Sequence, residues 1–172
     1  GGGFAMSHLK AALFAVMGPS VLANKIAAIL VAAAILVALV AFAREHLGRH
    51  DGDVVGGERV AWLAAAFFVL APENFVRFSL LNLGTHFEAQ LFALLVLHFA
   101  LKVVREERAR TRDLLSLGLA AGFGLFMSLT LIPSLAVAAA AFVLSRRARV
   151  FGRETLGALG GFALGAAPLW TM

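Results

Sequence analysis

The chain contains no cysteine. Disulfides and thiolate metal sites are therefore excluded, and cysteine usage says nothing about the redox compartment. The zinc-helix pattern HExxH, the phosphate loop GxxxxGK[ST] and the N-x-[ST] sequon are also missing. Each of those carries its chemistry through a fixed spacing, so none of those chemistries is signalled here. The opening "GGG" follows no strand and is not a phosphate cradle. Negative charge is scarce, with 10 Asp and Glu against 15 Lys and Arg, a net charge of +5. Charge of either sign disappears over Ile26–Ala43 and again over Leu114–Leu144.

What fills the chain instead is apolar. Of 172 residues, 61% are hydrophobic, and the mean hydropathy is +0.90. An ordinary soluble domain is nearer about 45–50% apolar. A soluble fold of this length could not hide so much apolar surface. A helical protein in lipid needs only its backbone polar groups paired internally. The expected fold is an all-α, polytopic transmembrane bundle. The pI of 11.1 would suggest nucleic acid in a soluble protein. Here the basic residues form short blocks between apolar runs, the pattern of cytoplasmic loops, and no nucleic-acid partner is expected.

Residues 4–17, "FAMSHLKAALFAVM", place Leu9, Leu13 and Met17 at i, i+4 spacing, with His8 and Lys10 breaking the run. They read as an interfacial amphipathic helix. "GPS" at 18–20 reads as a turn into the next helix. Ile26–Ala43, preceded by "VLANK", is the best transmembrane candidate. Residues 44–59, "REHLGRHDGDVVGGER", read as a polar, Gly-rich loop. Residues 60–72 form a shorter apolar segment limited by Pro72, 73–85 a mixed connector, and 87–104 a second long run. Residues 105–113 are strongly charged. The uncharged run 114–144 would be about 46 Å long as one helix, more than a bilayer core. "SLTLIPS" offers a break at Pro133.

The connectors 44–59, 102–113 and 145–154 hold twelve of the fifteen basic residues. The positive-inside bias puts all three in the cytoplasm, so 60–101 and 114–144 each go out and return. The expectation is one domain over 1–172: an outer interfacial segment at 1–20 and a bundle of about six crossings over 21–172. Gly157, Gly161 and Gly165 recur every fourth residue, as do Gly118 and Gly122. Such faces let helices approach closely, and packing within the chain is expected over a dimer face.

The polar residues of interest lie in "NLGTHFEAQ", Asn82 to Gln90. Thr85 and Glu88 are spaced as a capping box, which accounts for both without any site and leaves His86 unexplained. The alternative is an outward, water-filled groove, where His86 and Glu88 assist proton transfer or hold a phosphate or sugar hydroxyl. Arg77 and Lys25 are outer-side cations at a similar level. Arg77 suits bidentate phosphate contact or a pair with Glu73, and Lys25 reads as snorkelling to headgroups. His98, inside an apolar helix, reads as a neutral residue bonded to a neighbouring helix. Asp51 and Asp53 read as solvated turn residues.

The layout then resembles a family. Its features are "LFAVMGPSVLANKIAAIL", a helix ending "AREHLGR", a segment closing in "LAPE", the outer "LGTHFEAQLFALLVL", the hairpin "GLAAGFGLFMSLTLIPSLAVAAAAFVLSRR", and "GFALGAAPLW". Together they resemble the middle of a GT-C-type integral membrane glycosyltransferase, of the bacterial kind related to protein mannosyltransferases. The resemblance implies transfer of a sugar from a polyprenyl-phosphate-linked donor to a lipid, glycan or protein acceptor. Transfer would take place on the outer face of the inner membrane, the side of His86 and Glu88. It also implies an acidic catalytic residue in the first outer loop. "GGGFAMSHLKAALF" holds none, so that residue is expected upstream and the chain is expected to be a central piece of a longer protein. His86, Glu88 and Arg77 are assigned to the donor or acceptor groove. No cofactor motif is identifiable, and metal dependence and oligomeric state are left open. The alternatives are a transporter or flippase segment, which would need midplane polar sites, and a non-catalytic assembly subunit resting on the glycine faces.

Overall fold

A computed structural model describes residues 4–47, 54–71, 85–106, 109–145 and 153–167. Among these residues all regular structure is helical, as expected. Helix α1 is Phe4–Met17 and α2 is Val21–Phe42, continued by a π-helical turn at Ala43–Leu47. Next come α3 (Val54–Val69), α4 (Thr85–Arg105) and α5 (Thr111–Met127). A 3-10 turn at Leu129–Leu131 leads into α6 (Ile132–Ser145), and α7 is Arg153–Gly165. The chain divides into two compact units, Gly1–Leu91 and Phe92–Met172, with the division inside α4.

In the first unit, the "GPS" turn is where the sequence puts it. Gly18 takes a φ of 75°, which only glycine adopts without strain. Its N–H donates to the Phe14 carbonyl at 2.9 Å and closes the end of α1. Ser20, extended at φ −141°, accepts from the Ala23 N–H at 3.1 Å and caps α2. With its π-turn, α2 runs 27 residues with a peak hydropathy of 3.0. At about 1.5 Å per residue that is about 40 Å, enough to cross a bilayer core. Only 22% of its most apolar window is buried within the protein. The buried part is a stripe of small residues, Ala23, Ala27 and Ala28, with Ile35 further along. The helix packs against α1 and α3, and alanines on that stripe allow close approach. Elsewhere its side chains point outward, as Val21, Ile29 and Val37 do.

Two expectations need correction here. Residues 44–59 are not one loop: 44–47 form the π-turn and Val54–Arg59 are the first turns of α3. Gly56 and Gly57 each weaken a helix by about 1 kcal/mol relative to alanine, which is why the stretch reads as loop. Gly57 is buried, and an ion pair between Arg44 and Glu58 fastens the π-turn to α3. Residues 102–113 are likewise not one loop: 102–105 end α4 and 111–113 begin α5.

The second unit is organised by α5 and α7. Gly118 lies against Ala158 and Phe162, Gly161 against Leu115, Gly165 against Leu119, and Gly122 against Phe162 and Ala166. The contacts rise together in residue number, so the two helices run parallel. A Cβ on Gly118 would fall on the Ala158 carbonyl oxygen, and one on Gly161 on that of Leu115. Glycine is required there by contact between backbones. A Cβ on Gly157, by contrast, would meet the Leu114 side chain at an ordinary 3.5 Å. The glycine faces therefore pack within the chain. After α5 the chain turns at Ser128–Leu131, as the overlong run requires. The Ser128 hydroxyl accepts from the Thr130 N–H at 3.3 Å and lies 2.8 Å from the Thr130 hydroxyl. Pro133 sits in the first turn of α6, where its missing N–H costs nothing. The core joins Val96 and Ala100 of α4, Ala120 and Ala121 of α5, Leu131, and Ala138 of α6.

Among the described residues, one helix, Val21–Leu47, is long and apolar enough to cross a membrane. Ser7–Met17, Leu129–Ser145 and Thr155–Gly165 are apolar but shorter. Of the six crossings expected, the described residues thus supply one helix that is clearly of full span and apolar, and the hairpin limbs are held to 17 and 14 residues by their turn.

Candidate functional site

The head of α4 carries the residues singled out in the sequence. Thr85 and His86 belong to its first turn by backbone, and their side chains lie outside the described residues. Arg77 and Glu73 lie outside them altogether, as do Asp51 and Asp53. Of the expected site, Glu88 is the member whose side chain is placed. It is in the first turn of α4 and only 5% exposed. A carboxylate there complements the positive end of the helix dipole. Burial of a carboxylate is costly without compensation, and Glu88 does interact with other groups. A solvated helix start would leave this side chain in water, so its burial is the feature that separates Glu88 from an ordinary first-turn acid. Chemically, a buried carboxylate can accept a proton or hold a hydroxyl.

A second polar feature in the first unit gave less signal. The π-turn Ala43–Leu47 buries His46 to 7% exposure. Its ring lies 5.1 Å from that of Phe42, tilted by 54°. Arg44 grips Glu58 with a fork, Nε to Oε1 at 3.0 Å and Nη2 donating to Oε2 at 3.0 Å. Two parallel charge-assisted contacts fix direction as well as distance. Wider helical turns of this kind recur at functional sites. "AREHLGR" reads as the polar end of a helix, so His46 is not selected. The available signal is Phe42 and His46 at i, i+4 on one face, with Arg44 and Glu58 of opposite charge across the connector.

In the second unit His98 is half-buried on α4, edge-on to Phe99 at 5.2 Å, and it makes further interactions. Asp113, read as part of a charged connector, is instead buried in the first turn of α5, 3.8 Å from Arg112. Lys25 is exposed on α2.

No family model, no curated protein and no solved structure matches this chain.

Proposed function

We propose that this chain is a multi-pass membrane domain belonging to a glycosyltransferase that uses a polyprenyl-phosphate-linked sugar. The membrane part is supported by α2 and by the large apolar side chains exposed on other helices, such as Trp62 at 72% and Phe67 at 77%. Scattered exposed apolar residues are normal, but this density beside an apolar helix suits lipid. The shorter helices then act as limbs of a tilted or protein-shielded hairpin. The transferase part is supported by the resemblance of the runs and turns, with Glu88 as the observation that carries it. A buried carboxylate sits in the stretch where the resemblance puts the substrate groove. In this reading Glu88 holds a hydroxyl of donor or acceptor, with His86 and Arg77 assigned to the same groove.

The test uses the intact protein and a labelled polyprenyl-phosphate sugar. Glu88→Gln and His86→Ala are each expected to lower transfer at least about tenfold, about 1.4 kcal/mol of barrier. Unchanged transfer in both makes the segment a helix start and nothing more. Sidedness is checked separately, and the absence of native cysteine makes single-cysteine labelling clean. A cysteine at Thr85 should react from outside and one at Arg108 should be protected, the reverse overturning the orientation.

A further inference from the structure

The second unit contains a cavity of about 220 Å³ that the proposed chemistry does not use. It lies among α4, α5, α6 and α7 and is open along one side. Leu135 and Phe142 mark its extent on α6, Thr155 and Phe162 on α7. Each pair is seven residues apart, so the slot is about 10 Å long. Thr155 is its one polar side chain. An apolar cavity of about 150 Å³ stays dry and accepts a benzene-sized group, and a water needs two to four polar partners. This larger and longer slot therefore favours an alkyl chain over water or peptide, whose backbone would find no partners in it.

The charge at one end identifies the rest of the occupant. Because α5 and α7 are parallel, their N-termini lie together, and the short connector from Arg105 brings the end of α4 to the same place. Leu114 of α5 meets Gly157 of α7, which sets Arg112 about level with Thr155, where the slot begins. Arg110 and Arg112 are exposed at 59% and 72%. Among the described residues, Glu106 stands 3.9 Å from Arg110 and Asp113 3.8 Å from Arg112. The Arg110–Glu106 pair is exposed and, at that distance, holds weakly, so the Arg110 guanidinium can turn to a phosphate, a stronger partner; Arg112 stays beside the buried Asp113 and adds its charge at that end. Two aligned helix N-termini add positive potential at that end.

We propose that this slot seats one acyl chain of an anionic phospholipid, with its phosphate at Arg110 and the N-termini of α5 and α7, and with Arg112 adding positive charge at the same end. The proposal rests on the membrane reading above and is independent of the transferase reading.

The test begins with the full chain, purified from membranes and stripped of lipid in mild detergent. Phosphatidylglycerol is titrated in mixed micelles while thermal unfolding is followed. A saturable rise in Tm is expected with phosphatidylglycerol and none with phosphatidylcholine. Ala139→Phe, at an exposed position on the rim, should fill the slot and abolish the rise. Arg110→Gln with Arg112→Gln should move the midpoint at least about fivefold to higher lipid. An equal rise with phosphatidylcholine, a rise that survives Ala139→Phe, or a midpoint unmoved in the double variant overturns the proposal. Stronger stabilisation by a polyprenyl phosphate overturns it too. If Ala139→Phe fails to melt cooperatively, the double variant alone decides. A protein that fractionates without membranes would sink the membrane reading, whereas a membrane-bound protein indifferent to phosphatidylglycerol sinks only this one.

Discussion

In the first unit α2 packs through alanines; in the second α5 and α7 meet through glycines. Ala23, Ala27 and Ala28 keep a methyl group between helices. Gly118, Gly122, Gly161 and Gly165 keep nothing, and backbone rests on backbone. The alanine contact tolerates small shifts, and the unit adds a directional ion pair, Arg44 to Glu58, to fix where α2 meets α3. The glycine contact allows only one register, because each carbonyl occupies the place of an absent side chain. Small residues thus serve two ends, loose apposition in one unit and fixed registration in the other.

Substitutions at these contacts test the difference. The largest loss is expected from Gly118→Val, which drives a side chain into the Ala158 carbonyl and should cost about 3 kcal/mol in reversible denaturation. Gly160 has open space around its missing Cβ, so Gly160→Ala should instead gain about 0.8 kcal/mol from helix propensity. Equal effects at the two positions would remove the case for registration by glycine. Ala27→Leu, at a fully buried position, should cost about 2 kcal/mol, since α1 and α3 can move apart in part. A loss as large as that of Gly118→Val would erase the contrast between the units. Arg44→Gln is expected to matter least, about 0.5 kcal/mol, because both partners are about half exposed. A larger loss, read by the same denaturation, would show that the π-turn depends on the fork.

Much of this architecture is legible in the sequence, for identifiable reasons. The limits of α1, the turn at Gly18–Ser20 and the break before Pro133 follow from local chemistry: a positive-φ glycine, a hydroxyl cap, and an overlong run with a proline in it. The pairing of the glycine faces is legible as a property of each helix, but their parallel register is not, because it depends on where α6 returns the chain. The helical character of 44–47 and 54–59 is hidden by two glycines and by charges whose partners lie 14 residues apart. Asp113 and His46 are hidden for a similar reason. Each sits in a polar stretch, and burial there is decided by neighbours distant in sequence. At the candidate site, Glu88 is legible as a first-turn acid, while its burial becomes visible only in three dimensions.

The parallel pairing also sets an order of assembly. Leu114 and its partner Gly157 are separated by about 43 residues of chain. At ribosomal speeds of about 5–20 residues per second, α5 waits roughly 2–9 seconds for its mate. During that interval its bare glycine ridge is open to any other helix that forms nearby. Prompt closure of the intervening hairpin is then what keeps the nascent protein from joining the wrong neighbour.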